Sequence, residues 1–206
     1  MTGSVTIYYS LNSPWTYLAW QRLRDLVQSS GADARYRPIN VLEAFKVSGG
    51  LPLAERPRQR QAYRLMELRR WRDHLQVPLH LEPRYFPADE RLAAGMVIAL
   101  GQRGGDMAAL SHAFLRAVWA QERDLADPAT LVAITGEQGL GSDLLDAAQS
   151  QAVTDAHRAN TEAAIAEGVF GVPTFVIGEE LFWGQDRLDF VARALQGQVR
   201  AQAPLT

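Results

Sequence analysis

The 206-residue chain contains no cysteine, which removes disulfide staples, thiolate metal sites and every mechanism in which the protein supplies its own sulfur nucleophile. It also lacks an excess of either charge. Twenty-one Lys and Arg stand against 23 Asp and Glu, a formal charge of -2, so no global field draws the chain to nucleic acid or to an anionic membrane, and any anion site must be local. No apolar run approaches the roughly 18 residues of a membrane span, and residues 1–20 lack a basic segment followed by a clean apolar stretch. A cytoplasmic location is expected, with neither membrane nor nucleic acid as partner. Internal repeats, a Gly-rich phosphate loop and a Gly-x-Ser-x-Gly elbow are missing. His74, His80, His112 and His157 show no metal spacing, and Pro78 separates the first two; no metal site is expected. What remains, 47% hydrophobic and 21% charged residues, is an ordinary globular composition in a chain long enough to bury a core.

Residues 4–10 form a β-branched and aromatic run suited to a buried strand. Ser13 and Pro14 then open a helix whose apolar positions, Trp15, Leu18, Ala19, Leu23, Leu26 and Val27, recur near every 3.6 residues. Ser suits the cap, Pro the first helical position and Gly31 the stop. Residues 34–41 read as a second strand, with Pro38 placing it at an edge or ending it. If the two strands pair in parallel, the opening is a βαβ unit. Residues 42–57, with Gly49, Gly50, Pro52 and Pro57, read as loop. Helical patterns follow over 62–75, 91–100, 107–121, 129–138, 144–149 and 152–167. The chain closes with a hairpin over 173–177 and 181–183, a helix over 188–195, and a polar tail over 196–206 that is expected to be loose. Strands at the two ends and helices between them predict an α/β architecture, a thioredoxin-like fold with a large all-helical insertion. Residues 1–41 and 169–206 would form one discontinuous domain and residues 42–168 the insertion.

A helix N-terminus directly after the first strand offers free N–H donors and the positive end of a dipole, a combination that stabilises a thiolate. In redox proteins of this fold Cys-x-x-Cys occupies that place, and here it reads Ser13-Pro14-Trp15-Thr16. Dithiol chemistry is excluded, but a hydroxyl there can donate a hydrogen bond to a sulfur anion carried by a ligand. The plainer reading of Ser13 is a helix cap alone. A second locus is Gly171-Val172-Pro173-Thr174. In this pattern Pro173 is cis and turns the N–H and C=O of Val172 toward the helix N-terminus, where an extended peptide-like ligand can pair with them; the plainer reading is a trans Pro at the start of a strand. In the third, Trp183-Gly184-Gln185-Asp186 joins the last strand to the last helix, with Gly184 as the corner. Asp186 either caps that helix or binds an ammonium while adjacent backbone N–H groups take a carboxylate, as the γ-glutamyl end of glutathione requires.

Taken together, residues 9–19, 168–174 and 182–188 resemble the family of kappa-class glutathione transferases and 2-hydroxychromene-2-carboxylate isomerases, the isomerases more closely, and the likeness spans nearly the whole chain. It implies glutathione as cofactor and a glutathione-dependent isomerisation of a hydroxychromene carboxylate to the matching hydroxybenzylidene pyruvate, by transient thiolate addition. Ser13 then contacts the sulfur, Val172 beside Pro173 pairs with the tripeptide backbone, and Trp183, Gly184, Gln185 and Asp186 receive the γ-glutamyl end. On the substrate side, a small aromatic carboxylate, Lys46 and Tyr85 fall at the places of the family's Lys and Tyr. Residues 53–56 read Leu-Ala-Glu-Arg, so the Asn of the family's Asn-Arg pair is missing and Arg56 is an approximate counterpart. Without the resemblance, Lys46 reads as a solvated loop cation and Tyr85 as a packed loop aromatic. The stretch 55–72 holds seven Arg and two Glu, a local excess of +5; it can guide a carboxylate or line a nucleic-acid groove, but a wet helix face is the expected role. Two rival functions stay open, a transferase that conjugates an electrophile and a non-catalytic binder of thiol peptides. Relatives of this kind commonly pair, and a homodimer is an open expectation.

Overall fold

The computed structural model describes residues 3–197; of the polar tail, residues 198–206 lie outside that range. Strand β1 (Ser4–Tyr9), helix α1 (Pro14–Ser30) and strand β2 (Asp33–Pro38) open the chain, and β3 (Thr174–Ile177), β4 (Glu180–Trp183) and α9 (Leu188–Leu195) close it. Between them run α2 (Val41–Ser48), α3 (Arg58–Leu75), α4 (Arg91–Gln102), α5 (Met107–Gln121), α6 (Pro128–Glu137), α7 (Asp143–Ala148) and α8 (Gln151–Ala166). The four strands form one sheet in the order β2-β1-β3-β4. β1 pairs in parallel with β2, from Ser4 opposite Asp33 to Tyr9 opposite Pro38, and antiparallel with β3, where Ile7 faces Phe175. The closing hairpin is antiparallel, Phe175 facing Phe182. The βαβ opening, the terminal hairpin and the edge position of the strand that ends at Pro38 all stand as expected from the residue pattern.

β1 lies between two partner strands and is buried on both faces, which suits its near-continuous apolar run. Val5, Ile7 and Tyr9 join the main core with α1, α4 and α5, while Tyr8 points to the opposite face, against Ile39, Ala164, Val169 and Val176. That main core runs without a break from the sheet into the inserted helices: Trp20, Met96, Phe114 and Trp119 belong to it and are fully buried. Hydrogen bonds fix the seam between terminal and inserted elements, among them Tyr9 Oη with Ser111 Oγ at 2.7 Å and Trp20 Nε1 donating to the Ala108 carbonyl at 2.9 Å.

The structure corrects the reading of residues 42–57 as loop. Val41–Ser48 is helical, capped by the Asn40 side chain, which accepts from the Leu42 N–H, and stopped by Gly49 at φ 76°. Val41, Leu42, Ala44 and Phe45 do fall at helical spacing, but over two turns that end at Gly49 the pattern is too short to stand out, and only Ala44 is buried.

Candidate active site

Ser13 stands in extended backbone at the cap of α1, and its hydroxyl accepts from the Thr16 N–H at 3.2 Å. The same hydroxyl donates to the carbonyl of Val172 at 3.4 Å, long for an O–H···O bond, so little is lost if that proton turns to another acceptor. The Val172–Pro173 bond is cis, as expected. Two backbone donors border the spot: the N–H groups of Trp15 and Val172 have no hydrogen-bond partner among the described residues. No acidic residue occupies the first turn of α1, so the positive end of its dipole is not answered from within the helix. Thr16, the second hydroxyl of the Ser-Pro-Trp-Thr run, is fully enclosed with Oγ1 unpartnered. Ser13, buried but 8% exposed, is therefore the more accessible of the two hydroxyls.

The closing hairpin completes this side. The Gly184 N–H donates to the Pro173 carbonyl at 2.9 Å, which ties the turn after β4 to the cis-proline segment. Gly184 sits at φ 110°, backbone that a side chain would strain. Gly171 faces the indole of Trp183, where an added Cβ would stand 2.6 Å from Nε1; Trp183 also meets Phe170 edge-on at 4.7 Å and is half exposed. Gln185 is buried and its side-chain oxygen accepts from Arg22 of α1, which also donates to the Gln185 carbonyl at 3.1 Å. That amide is thus committed to holding the turn against α1. Burial pushes the Arg22 guanidinium down, and Asp189 and Asp186 oppose the shift. Asp186 is not the cap of α9: it lies in a short 3-10 turn, residues 185–187, and pairs with Arg187 at 3.3 Å, while α9 has no side-chain cap. Its carboxylate is partly open to solvent.

The residues expected on the substrate side lie between α2 and the start of α4. Lys46, in the last turn of α2, is exposed and bonded to Glu43 at 2.8 Å. Arg56 donates to the Leu51 carbonyl at 2.8 Å and lies 5.9 Å from the ring of Phe45; burial and Arg60 push it down. Tyr85 is half-buried with the Arg84 guanidinium 5.2 Å from its ring. Ser13, Val172, Pro173, Trp183, Gly184, Gln185 and Asp186 are thus joined by a continuous set of contacts, whereas Lys46, Arg56 and Tyr85 sit on separate segments of the insertion.

Several contributors escaped the sequence reading. Asn12 joins the two sides: its amide donates to the Ala88 carbonyl at 2.8 Å and its oxygen accepts from the Ala88 N–H at 3.1 Å. Glu90 accepts from the Ser10 hydroxyl at 2.7 Å and the Asn12 N–H at 2.8 Å, and burial raises its carboxyl against the lowering effect of those donors. The loop carrying Tyr85 and Phe86 is thereby moored beside Ser13. Arg64 corrects the picture of α3 as an Arg-covered wet face. Arg70 and Arg72 do pair outward with Glu67 and Asp73, but Arg64 turns in against Phe86 and Trp119. The signal was there: Arg64, Leu68, Trp71 and Leu75 follow the i, i+4, i+7, i+11 spacing of one helix face.

Sheet order, cis proline and a capped helix N-terminus define a thioredoxin-fold protein in which a hydroxyl stands at the position of the redox thiol. The family described as DSBA-like thioredoxin domain matches residues 4–196. A 2-hydroxychromene-2-carboxylate isomerase of Sphingobium xenophagum is 32% identical over 194 residues, covering 93% of this chain and 97% of the relative. Glutathione S-transferase kappa 1 of Rattus norvegicus is 23% identical over 97% of this chain and 94% of its own length. Among solved structures, a 2-hydroxychromene-2-carboxylate isomerase superposes with a TM-score of 0.77 at 29% identity, over 94% of this chain and 95% of that one. The chain belongs to the DSBA-like thioredoxin domains and, within them, to the family that holds these isomerases and the kappa-class transferases.

Proposed function

We propose that the protein is a glutathione-dependent isomerase that interconverts 2-hydroxychromene-2-carboxylate and trans-o-hydroxybenzylidenepyruvate, or a closely related aromatic pair. The observation that carries this reading is the Ser13 hydroxyl, held at the open end of α1 against the carbonyl beside a cis proline, in a chain without a thiol of its own. The donor set fits the tripeptide. The Ser13 hydroxyl and the Trp15 N–H suit a sulfur anion, the Val172 N–H suits a peptide carbonyl, and the open carboxylate of Asp186 suits an α-ammonium. Trp183 and Gly184 shape that end, and Gln185 holds it in place through Arg22.

When bound, glutathione supplies a thiolate that adds to the conjugated system and leaves again unconsumed, so that the double bond can rotate. The chain's part is electrostatic. Ser13 turns its proton from Val172 to the sulfur, and the first turn of α1 adds N–H donors and the dipole, which together keep the anion populated at neutral pH. Lys46 and Arg56 hold the substrate carboxylate and the negative charge that develops on it, and the Tyr85 hydroxyl positions the phenolic oxygen. Lys46 reaches this role by exchanging its exposed bond to Glu43, a pair whose loss costs little. We take residues 1–41 with 169–206 to form the thiol-binding unit and 42–168 the acceptor unit. The reaction needs reduced glutathione, which favours the cytoplasm. A homodimer belongs to the same reading, with the mass in solution as its check.

The test is conversion of 2-hydroxychromene-2-carboxylate with glutathione present at a small fraction of the substrate. Complete conversion with free thiol unchanged is the expected result. Stoichiometric loss of thiol makes the protein a transferase, and an equal rate without glutathione overturns the reading.

A further inference from the structure

Between the loop after α2, helix α3 and residues 81–86 lies a cavity of about 200 Å³. Leu53, Leu65, Leu81 and Phe86 form its apolar side, and Gln61, Arg64 and Glu82 its polar side. For scale, an apolar cavity of roughly 150 Å³ accepts benzene, so this one admits a single aromatic ring with a small substituent, or one end of a larger molecule.

Arg64 is the unusual wall. Its guanidinium lies 5.3 Å from the Phe86 ring and 5.8 Å from that of Trp119, which fixes the plane of the group. Its Nη2 is buried and reaches no acceptor, and the indole N–H of the fully buried Trp119 is likewise unpartnered. Among the described residues Arg64 makes no ion pair within 4.0 Å. Glu82 favours its charge from a distance, but burial and Arg56 prevail and push the group down to about 10, which leaves it a cation at neutral pH. A half-buried cation whose inner donor is empty is costly unless an anion answers it. Phe86 is also two residues from Ala88, whose N–H and C=O are bonded to Asn12, the neighbour of Ser13. The cavity wall and the thiol site therefore share one loop.

We propose that Arg64 is a further anchor, in addition to Lys46 and Arg56, for the carboxylate of an aromatic acid in this cavity, with the ring of that acid against Phe86 and the surrounding leucines. Arg64 supplies a fixed donor plane, and so sets the preference for acids over neutral acceptors. The identity of the acid rests on the isomerase reading; the anion site does not.

Binding of trans-cinnamate and of neutral trans-cinnamamide, two ligands of one size, tests this by calorimetry on the full-length protein with Arg64 intact, as Arg64→Gln and as Arg64→Lys. The intact protein is expected to bind the acid and discriminate against the amide. Arg64→Gln should weaken the acid by roughly ten- to a hundredfold, the range for a charge-assisted bond, while glutathione affinity stays the same. Arg64→Lys, which keeps the charge, should retain part of the preference. In turnover, Arg64→Gln should raise KM for the acid substrate more than it lowers kcat. Equal affinity of the intact protein for acid and amide, which needs no variant to fold, overturns the proposal, as does unchanged acid binding in Arg64→Gln. If cinnamate depends on Arg64 but no isomerisation is found, the anion site stands and the isomerase reading falls. If isomerisation is glutathione-dependent and indifferent to Arg64, the reverse holds.

Discussion

Where the two ends of the chain meet, Ser13, Val172, Pro173 and Gly184 are held largely by backbone groups bonded to one another, whereas on the insertion Lys46, Arg56, Tyr85 and Arg64 are placed by salt links and ring stacking. Backbone geometry of that kind resists substitution of neighbours, because no side chain needs to be kept for it. Side-chain placement does not, and it can drift to fit a new acceptor while the thiol side stays fixed. On this account the terminal elements set the chemistry, and the insertion sets what the chemistry acts on.

The largest effect that separates the two regions is expected at Ser13. Ser13→Gly preserves a tolerable cap, at a cost of a few tenths of a kcal/mol, yet removes the donor to sulfur, and turnover should fall by about 10² to 10³. Steady-state kinetics beside a thermal melt measure both; a loss of activity that only tracks a loss of stability would reduce Ser13 to a cap. Arg22→Leu comes next. It strips the buried Gln185 side chain of its donor, so stability should drop by about 1–3 kcal/mol and glutathione should bind several-fold more weakly, with acid affinity unaltered in a direct titration. Asn12→Ala attacks the join between the regions. Stability should fall by about 1 kcal/mol, since water can replace part of the lost pair, and the affinities for both ligands should weaken together; if only one responds, the regions are not coupled through Ala88.

The smallest effect should spare both regions. The Nε2 of the half-buried His157 is enclosed and unpartnered, and desolvation holds the imidazole below its usual 6.5. The unfolded chain takes up the proton first, so the contribution is intact above pH 6.5 and is lost as the pH falls from there toward the lowered folded value. His112 shifts the same way. Melting temperatures of His157→Gln should therefore decline less steeply below pH 6.5 than those of the parent protein, with unchanged affinity for either ligand.

The same contrast explains what could be read from the residues. Ser13-Pro14, Val172-Pro173 and Gly184 are residue types chosen by backbone geometry, and such choices leave local signatures. The strands at both ends and most inserted helices were legible from apolar spacing for a similar reason. Helix α2 was hidden because its apolar positions span only eight residues, and Gly49, Gly50 and Pro52 dominate the segment. Arg64 was hidden by its company: in a run of arginines only its shared face with Leu68, Trp71 and Leu75 marks it as inward, and what meets it there, Phe86 and Trp119, comes from distant parts of the chain. Glu90 carries no motif, and Asn12, although within residues 9–19, shows no local sign of its role; their partners lie 76 to 80 residues away.

The most direct measurement is the ultraviolet difference spectrum of glutathione mixed with the protein at neutral pH, which reports the ionised sulfur of the bound tripeptide. A thiolate band that saturates with protein concentration and disappears in Ser13→Gly is the predicted result. A tripeptide that binds with its thiol still protonated, or a band of equal strength without the Ser13 hydroxyl, would contradict it.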